Sequence, residues 1–403
     1  MSGRIRPFQL VHPPADKVHL VASRSYLTYS ADELRDKLER NPYSYLHVIH
    51  PHGLNPEAES GRAERGSVEF YHEVRAEFEA FLQRGWLIAE DAPSVAIYRQ
   101  ETESFRCTGW VVLLDPAAAS SGFLRLHERT LEAREQLFAR YLSVVGCQTE
   151  PVLVARPSGA PPNAALDAGL RAVEAERPDF DFTTADRVRH TVWMCGPRTS
   201  AAFAEGLSTL PALYLADGHH RVASTLAVPD AGGLLAYVIP EEELVVRAYH
   251  RACSSGAVIP TAWLDSLAGT AAVSHLGDAP LTFGSIGVHH ATGSWRIDLP
   301  GSDPARIDAG WLDTAVLGPV FGIHDTRNDA RMTYIPGTED RAALRRRAAL
   351  HPDRTYFELH PVPTAQIKAV ADAGGTFPPK STWIEPKLRS ALFVHLHGIR
   401  AEG

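Results

Sequence analysis

Five consecutive residues hold the clearest chemical potential in the chain: Asp217-Gly218-His219-His220-Arg221. An apolar run ending at Ala216 reads as a strand, and the small-residue run from about His219 reads as a helix. Gly218 permits the tight turn between them. The first amides of such a helix have no partner inside it and, with the helix dipole, form an anion site. Gly218 and His219 are placed at that site, and Arg221 adds a forked, charge-assisted contact to phosphate. Asp217 is suited to hold a magnesium ion or to orient an imidazole, and His220 is counted with Asp217 among the catalytic groups. The plain alternative is an ordinary strand–turn–helix corner with Asp217 as its N-cap. Adjacent histidines also suggest zinc, but zinc sites favour spaced pairs and need a third ligand.

Three further stretches carry reactive side chains. Leu126-His127-Glu128-Arg129-Thr130 places a carboxylate beside an imidazole and a guanidinium at an expected helix start. Glu128 is therefore a candidate general base assisted by His127, the alternative being a solvated helix start. Pro378 and Pro379 stiffen the loop before Lys380, which preorganises a cation for a phosphate or a carboxylate. Ser381 and Thr382 are assigned to the same phosphate site; the alternative is a proline-rich surface loop. His250 and Arg251, at a strand end, are weaker candidates for phosphate contact. Asp325, Arg327, Asp329 and Arg331 read as a solvated charge run, and His395 and His397 as one face of an edge strand.

The elements that must position these residues alternate between strand and helix. Ser30 with Glu33 gives a capping box opening a helix that Pro42 closes. SYLHVIHP alternates like a strand. Phe70, Val74, Phe78, Phe81 and Leu82 share a helical face that Gly85 ends. SVAIYRQ and TGWVVLLD form a hairpin. From Gly122 onward, helices (LEAREQLFARYLSVV, ALDAGLRAVEAERP, AAFAEGLSTLP) alternate with strands (PVLVARP, TADRVRHTVWMCG, ALYLA, GLLAYVIP, LVVRAYHRA). Beyond about residue 258 the pattern is irregular, with a strand at SWRIDLP and a helix at AALRRRAAL. This predicts an α/β class with a mixed sheet (α+β). The expected domains are residues 1–118, 119–257 around the Asp217 motif, and 258–403, whose PPKST loop returns to the site.

Composition excludes several classes. The chain has 403 residues, too many for one small domain, and its 44% hydrophobic content offsets the ordering entropy that keeps disordered chains unfolded. No run approaches the ~20 apolar residues of a membrane span, and the N-terminus lacks the apolar core of a signal peptide, so a cytoplasmic location is expected. A net charge of −8 gives no global basic footprint for nucleic acid. The four cysteines are widely spaced with no CxxC pair, which predicts reduced thiols. Only five of the 40 basic residues are lysines, as in a GC-rich genome, and two of them, Lys380 and Lys387, lie in PPKSTWIEPK.

The chain resembles the large prokaryotic family called domain of unknown function 1015. The resemblance rests on ordered segments: IRPF (Ile5–Phe8), NPYSYLHVI (Asn41–Ile49), YHEVRAEFEAFLQRGWL (Tyr71–Leu87), HERT (His127–Thr130), YLADGHHR (Tyr214–Arg221), HR (His250–Arg251) and PPKSTWIEPK (Pro378–Lys387). Its DGHHR segment in turn is similar to the DGH-type motif of the ParB/sulfiredoxin-like superfamily. That superfamily includes free-serine kinases, which use ADP or ATP, and ParB proteins, which bind and hydrolyse CTP. The resemblance implies a ParB-like core, a nucleotide phosphate site at Asp217–Arg221, ATP or ADP as phosphate donor and Mg2+ as cofactor. It departs at Ser23–Thr28, where relatives carry a PPYDV-like segment: Tyr26 is kept and the Asp is missing.

The expected function is phosphoryl transfer to the hydroxyl of a small metabolite, free L-serine above all. In it Glu128 takes the proton, Arg221 and Lys380 offset charge, and Asp217 holds magnesium. The rival is a nucleotide-binding regulator without turnover. The expected partners are a nucleotide and a small hydroxylated metabolite, without membrane or nucleic acid; the oligomeric state is open, a homodimer included.

Overall fold

The computed structural model describes residues 3–53, 63–130, 132–254, 260–267, 269–301, 307–378 and 380–397. Contacts group the chain into two units. The first comprises Met1–Arg125, Thr130–Leu244 and Pro386–Gly403; the second comprises Leu126–Arg129 and Val245–Glu385. The sequence places breaks near 118 and 257, whereas the contacts change unit at 125/126, 129/130, 244/245 and 385/386.

The first unit is built on a mixed sheet with nine strands among the described residues. Its path runs Leu124–Arg125, Leu213–Asp217, Val152–Arg156, Leu234–Pro240, Arg106–Leu114, Ala96–Glu101, Arg189–Met194, Phe180–Thr183, with Ile5–Arg6 paired onto Arg106–Leu114. Two of the pairings on the path are parallel, Leu213–Asp217 with Leu124–Arg125 and Val152–Arg156 with Leu234–Pro240; the others are antiparallel. The central strands are nearly all apolar because both faces are covered: every residue of Leu234–Pro240 and of Val152–Arg156 is buried, the charged exception Arg156 being paired with Asp167. The expected hairpin is present, with Ile97 opposite Trp110.

Helices form where the sequence caps them. Ser30 accepts from the Glu33 amide at 3.2 Å and the Glu33 carboxylate accepts from the Ser30 amide at 2.8 Å, which opens Ala31–Arg40. In Val68–Gln83 the predicted stripe Phe70, Val74, Phe78, Phe81 is buried, while Leu82 is half-buried. Leu131, at the head of the helix described over Glu132–Val145, lies outside the described residues.

Two expectations in this unit are corrected. SYLHVIHP is not a strand: Leu46–Ile49 is one helical turn. Local side-chain bonds win over the alternating pattern, for Asn41 accepts from the Tyr43 amide (3.1 Å) and Ser44 from the Leu46 amide (3.3 Å), holding the backbone in turn geometry. The strand Val394–Leu396 is not an edge either. It lies between Leu10–His12 and Cys147–Gln148, and His395 is buried with Nε2 3.2 Å from the Ala231 carbonyl.

The second unit holds a six-stranded antiparallel sheet, ordered Ala272–His275, Gly293–Asp298, Ser285–His290, Arg354–Glu358, Tyr249–Ser254, Met332–Pro336. A separate two-stranded ribbon pairs Val245–Arg247 with Trp383–Glu385. The region therefore has regular structure where its sequence looks irregular. Ser285–His290 is buried at all six positions, so its sequence shows no alternation to read.

All four cysteines are free, and burial pushes each thiol up to about 12, so none is a thiolate nucleophile at neutral pH. Among the described residues no helix is long and apolar enough to cross a membrane.

Candidate functional site

The strand Leu213–Asp217 is buried as far as Ala216, and its register breaks between Leu215 and Asp217, where Asp217 comes opposite Leu153. The chain then turns at Gly218 with φ +106° and ψ 26°. A Cβ at this position would lie 2.8 Å from Val152 Cγ1 and 3.2 Å from Arg221 Cζ. Both the left-handed backbone and the lack of space require glycine. The helix His219–Leu226 follows, and the Val222 amide donates to the Gly218 carbonyl at 3.0 Å. The amides of His219, His220 and Arg221 precede this first bond and have no partner within the helix. Gly218 is the N-cap, which leaves Asp217 one residue before the cap rather than at it. His219 is buried and His220 half-buried.

Arg221 is more constrained than a phosphate-reaching side chain. Its Nη1 donates to the carbonyls of Glu150 (3.2 Å) and Pro151 and lies 3.0 Å from Glu150 Oε1. Its Nη2 donates to Asp217 Oδ2 at 3.3 Å. The guanidinium thus bridges two carboxylates and ties the corner to the turn before Val152–Arg156. Nε and the second Nη2 hydrogen have no partner among the described residues. Two groups complete the cluster. Lys387 Nζ is 3.6 Å from Asp217 Oδ1, and Ser390 Oγ donates to Glu150 Oε2 at 3.1 Å. Ser390 is itself backbone-paired to Ser23 (2.8 and 3.2 Å), the first residue of the segment that departs from the family pattern. The Ser23 hydroxyl is buried without a hydrogen-bond partner among the described residues.

This cluster is reachable by solvent: the side chains of Asp217 and Lys387 are 41% and 40% exposed. Its charges, Asp217 and Glu150 against Arg221 and Lys387, cancel formally. A phosphate arriving here meets no net positive field, so its recognition falls to the helix-start amides and to a counter-cation. Mg2+ takes one or two carboxylates plus phosphate oxygens, and Asp217 fits the role of that one protein ligand. Among the described residues no group of three or more His, Cys, Asp or Glu side chains is arranged as a metal site. Glu150 and Lys387 escaped the sequence-based assignment. Glu150 carries no local signal; the scarcity of lysine points to Lys387.

The remaining predicted residues lie in the second unit. Glu128 is not at a helix start. It makes an isolated parallel bridge with Phe377, and the His127 carbonyl accepts from the Phe377 amide at 2.8 Å. In such extended backbone adjacent side chains point to opposite faces. His127 is buried edge-on against Phe377, at 5.8 Å between rings, whereas Glu128 is half-buried. His127 therefore anchors this stretch and does not face the same way as Glu128.

His250 is buried, its Nδ1 accepting from the Leu359 amide at 3.1 Å, and burial lowers its pKa. It is a neutral ring rather than a phosphate-binding cation; it lines a groove of about 790 Å3 with Arg247, Arg341 and Arg345. Arg251 is fully buried and bonded to Asp313 and to the Ala309 carbonyl (3.4 Å). It is an internal ion pair.

Lys380 is exposed, with its ammonium 5.5 Å from the Tyr249 ring centre and φ +56°. Ser381 is buried and donates to the Pro378 carbonyl (2.7 Å), which closes the turn; Thr382 is half-buried. Pro379 lies outside the described residues. The left-handed backbone at Lys380 costs about 1 kcal/mol for a residue with a Cβ. Lys380→Gly is therefore expected to raise unfolding stability by a few tenths to about 1 kcal/mol in urea titration, glycine's larger unfolded-state entropy offsetting part of the relief.

The chain is similar at low identity to several solved structures, three of which follow. SbnI with C-terminal truncation from Staphylococcus aureus aligns at 12% identity and TM-score 0.35, covering 72% of this chain and 83% of that one. A free serine kinase in complex with AMP aligns at 14% and 0.36 (70% and 91% covered), and a conserved hypothetical protein from Pyrococcus furiosus at 15% and 0.33 (70% and 95% covered). At these values the similarity assigns no chemistry to this chain. No curated protein matches it. The family described as protein of unknown function DUF1015 matches residues 5–309, three-quarters of the chain, a span that includes His127–Thr130 and Asp217–Arg221 but not Pro378–Lys387, and the chain belongs to that family.

Proposed function

We propose that the chain is a nucleotide-dependent kinase of a small hydroxylated metabolite, free L-serine first among them. The observation that carries this is the Asp217–Arg221 corner: a turn only glycine can make, three helix-start amides, and two carboxylates bridged by one guanidinium at a solvent-reachable surface. Phosphoryl transfer asks for fixed positions and charge neutralisation more than for covalent chemistry. The amides of His219–Arg221 take phosphate oxygens of ATP or ADP. Arg221 keeps Asp217 and Glu150 apart and in place, with its remaining N–H groups available to phosphate. Asp217 is the proposed ligand for Mg2+, which supplies counter-charge to the phosphates when bound. Glu128 remains the proposed acceptor of the hydroxyl proton, and Lys380 the proposed charge partner of the transferred group. His250 and Arg251 are left out of the phosphate contacts, because both are committed inside their own unit.

The test is product formation. With Mg2+ and ATP or ADP, L-serine is expected to stimulate nucleotide turnover and to yield phosphoserine by mass spectrometry; Glu128→Gln is expected to suppress it. Nucleotide binding without serine-stimulated turnover would instead support the second reading, a regulator that binds nucleotide. One observation favours that rival: Ser23–Thr28 joins the cluster through Ser390 yet offers no carboxylate.

A further inference from the structure

The groove of about 790 Å3 that His250 lines lies wholly within the second unit and shares no residue with the Asp217 corner. Apolar residues, Val246, Leu281 and Pro361 among them, share its lining with charged ones. Four arginines line it: Arg247 from the two-stranded ribbon, and Arg341, Arg345 and Arg346 from the helix Arg341–Leu350. The acids of the lining are Asp278 and Glu358. Burial lowers the pKa of His250, which therefore adds no charge at neutral pH. With histidines neutral, the groove carries a formal charge of +2 in a chain whose net charge is −8.

These arginines are positioned but not used up. Arg341 Nε donates to Glu358 Oε2 at 2.8 Å, and its Nη1 donates to the carbonyls of Ala279 (2.8 Å) and Gly277 (3.2 Å). That fixes the side chain and leaves Nη2 without a partner among the described residues. Glu358 also accepts from His289 Nε2 at 2.9 Å, so this acid is already committed. Arg247 Nε donates to Glu385 Oε2 at 2.6 Å, and both its Nη groups are open among the described residues. Arg345 lies one helical turn after Arg341, on the same face. Its acid, Asp278, is 3.9 Å away and fully exposed, a pair worth little in water. Arg346 is exposed, with no hydrogen bond or ion pair among the described residues. The open nitrogens of Arg247, Arg341 and Arg345 are not buried, so a ligand can reach them.

We infer that this groove binds a phosphate monoester of a small molecule, with the phosphate on the arginines and an apolar body against Val246, Leu281 and Pro361. The inference does not rest on the kinase reading. Near neutral pH a phosphate monoester carries a charge of about −1.5 to −2 and three strong acceptor oxygens. It therefore matches the groove's charge, whereas a single carboxylate leaves half of it unanswered. Several guanidinium forks suit those three oxygens. The volume exceeds what a free phosphate fills and falls within the range of small-molecule sites, and the apolar share of the lining calls for a carbon body.

The experiment is a calorimetric titration of the full-length protein with phenyl phosphate, inorganic phosphate and succinate, a dianion without phosphate. Phenyl phosphate is expected to bind saturably, about tenfold more tightly than inorganic phosphate because its ring leaves water. Arg345→Gln/Arg346→Gln is expected to weaken it about tenfold or more with an unchanged melting temperature. Arg346→Glu, at an exposed side chain, is expected to weaken it in the same direction. Arg221→Ala is expected to leave phenyl phosphate bound, which separates this groove from the nucleotide corner. The proposal is overturned by no saturable binding, by unchanged affinity in the arginine variants, or by loss of binding in Arg221→Ala alone. Inorganic phosphate or succinate binding as tightly as phenyl phosphate would also overturn it. A glutamate-rich peptide binding more tightly than phenyl phosphate would assign the groove to an acidic protein partner instead.

Discussion

Arg221→Ala lowers serine-stimulated turnover about 10²-fold or more, the scale of losing one preorganised charge stabiliser. The structure makes the reason specific. Removing the guanidinium releases Asp217 and Glu150 from their bridge and unties the corner from the Glu150 and Pro151 carbonyls. Two neighbouring carboxylates then repel each other and the incoming phosphates. Arg221→Lys keeps the charge but not the fork, so it is expected to recover only part of the loss. Steady-state kinetics with nucleotide affinity measured alongside check this. Full turnover and full affinity in Arg221→Ala would defeat the assignment.

Gly218→Val destabilises the protein by about 3 kcal/mol. A residue with a Cβ at φ +106° has backbone strain of roughly 1–2 kcal/mol. Crowding against Val152 Cγ1, at 2.8 Å from the ideal Cβ, adds roughly 1–3 kcal/mol of overpacking. Gly159→Ala is the control. Gly159 also has positive φ, 70°, but nothing lies within 4 Å of its Cβ position, so only the backbone cost of roughly 1–2 kcal/mol is expected. Urea unfolding of both variants measures the difference. The nucleotide affinity of Gly218→Val is expected to fall with its stability, because Val152 and Arg221 must shift to admit the side chain.

The strand–turn–helix corner was legible because three local signals agree there: an apolar run, an acid–glycine pair and a small-residue helix. What the corner touches was not legible. Glu150, Ser390 and Lys387 reach it from irregular segments far from it in sequence, and sequence spacing carries no trace of such contacts. The HERT stretch shows the opposite failure. Its residue types fit a helix start, but its bridge to Phe377 makes it extended, and pairing to a distant segment overrides local propensity. His250 and Arg251 have the types of a phosphate site and the surroundings of a core, which only burial distinguishes. In the second unit Ser285–His290 was missed because full burial removes the alternation that marks a half-buried strand, and Ala272–His275 because all four of its residues are exposed and leave no apolar face to read.

The most direct measurement is a calorimetric titration of AMP, ADP and ATP, with Mg2+, into the wild-type chain and into Asp217→Asn/Arg221→Ala. If the helix-start amides and the bridged carboxylates hold the phosphates, affinity rises from AMP to the longer nucleotides and that rise disappears in the double variant while the fold is kept. Equal affinities across the series, or a rise that survives in the variant, would contradict it.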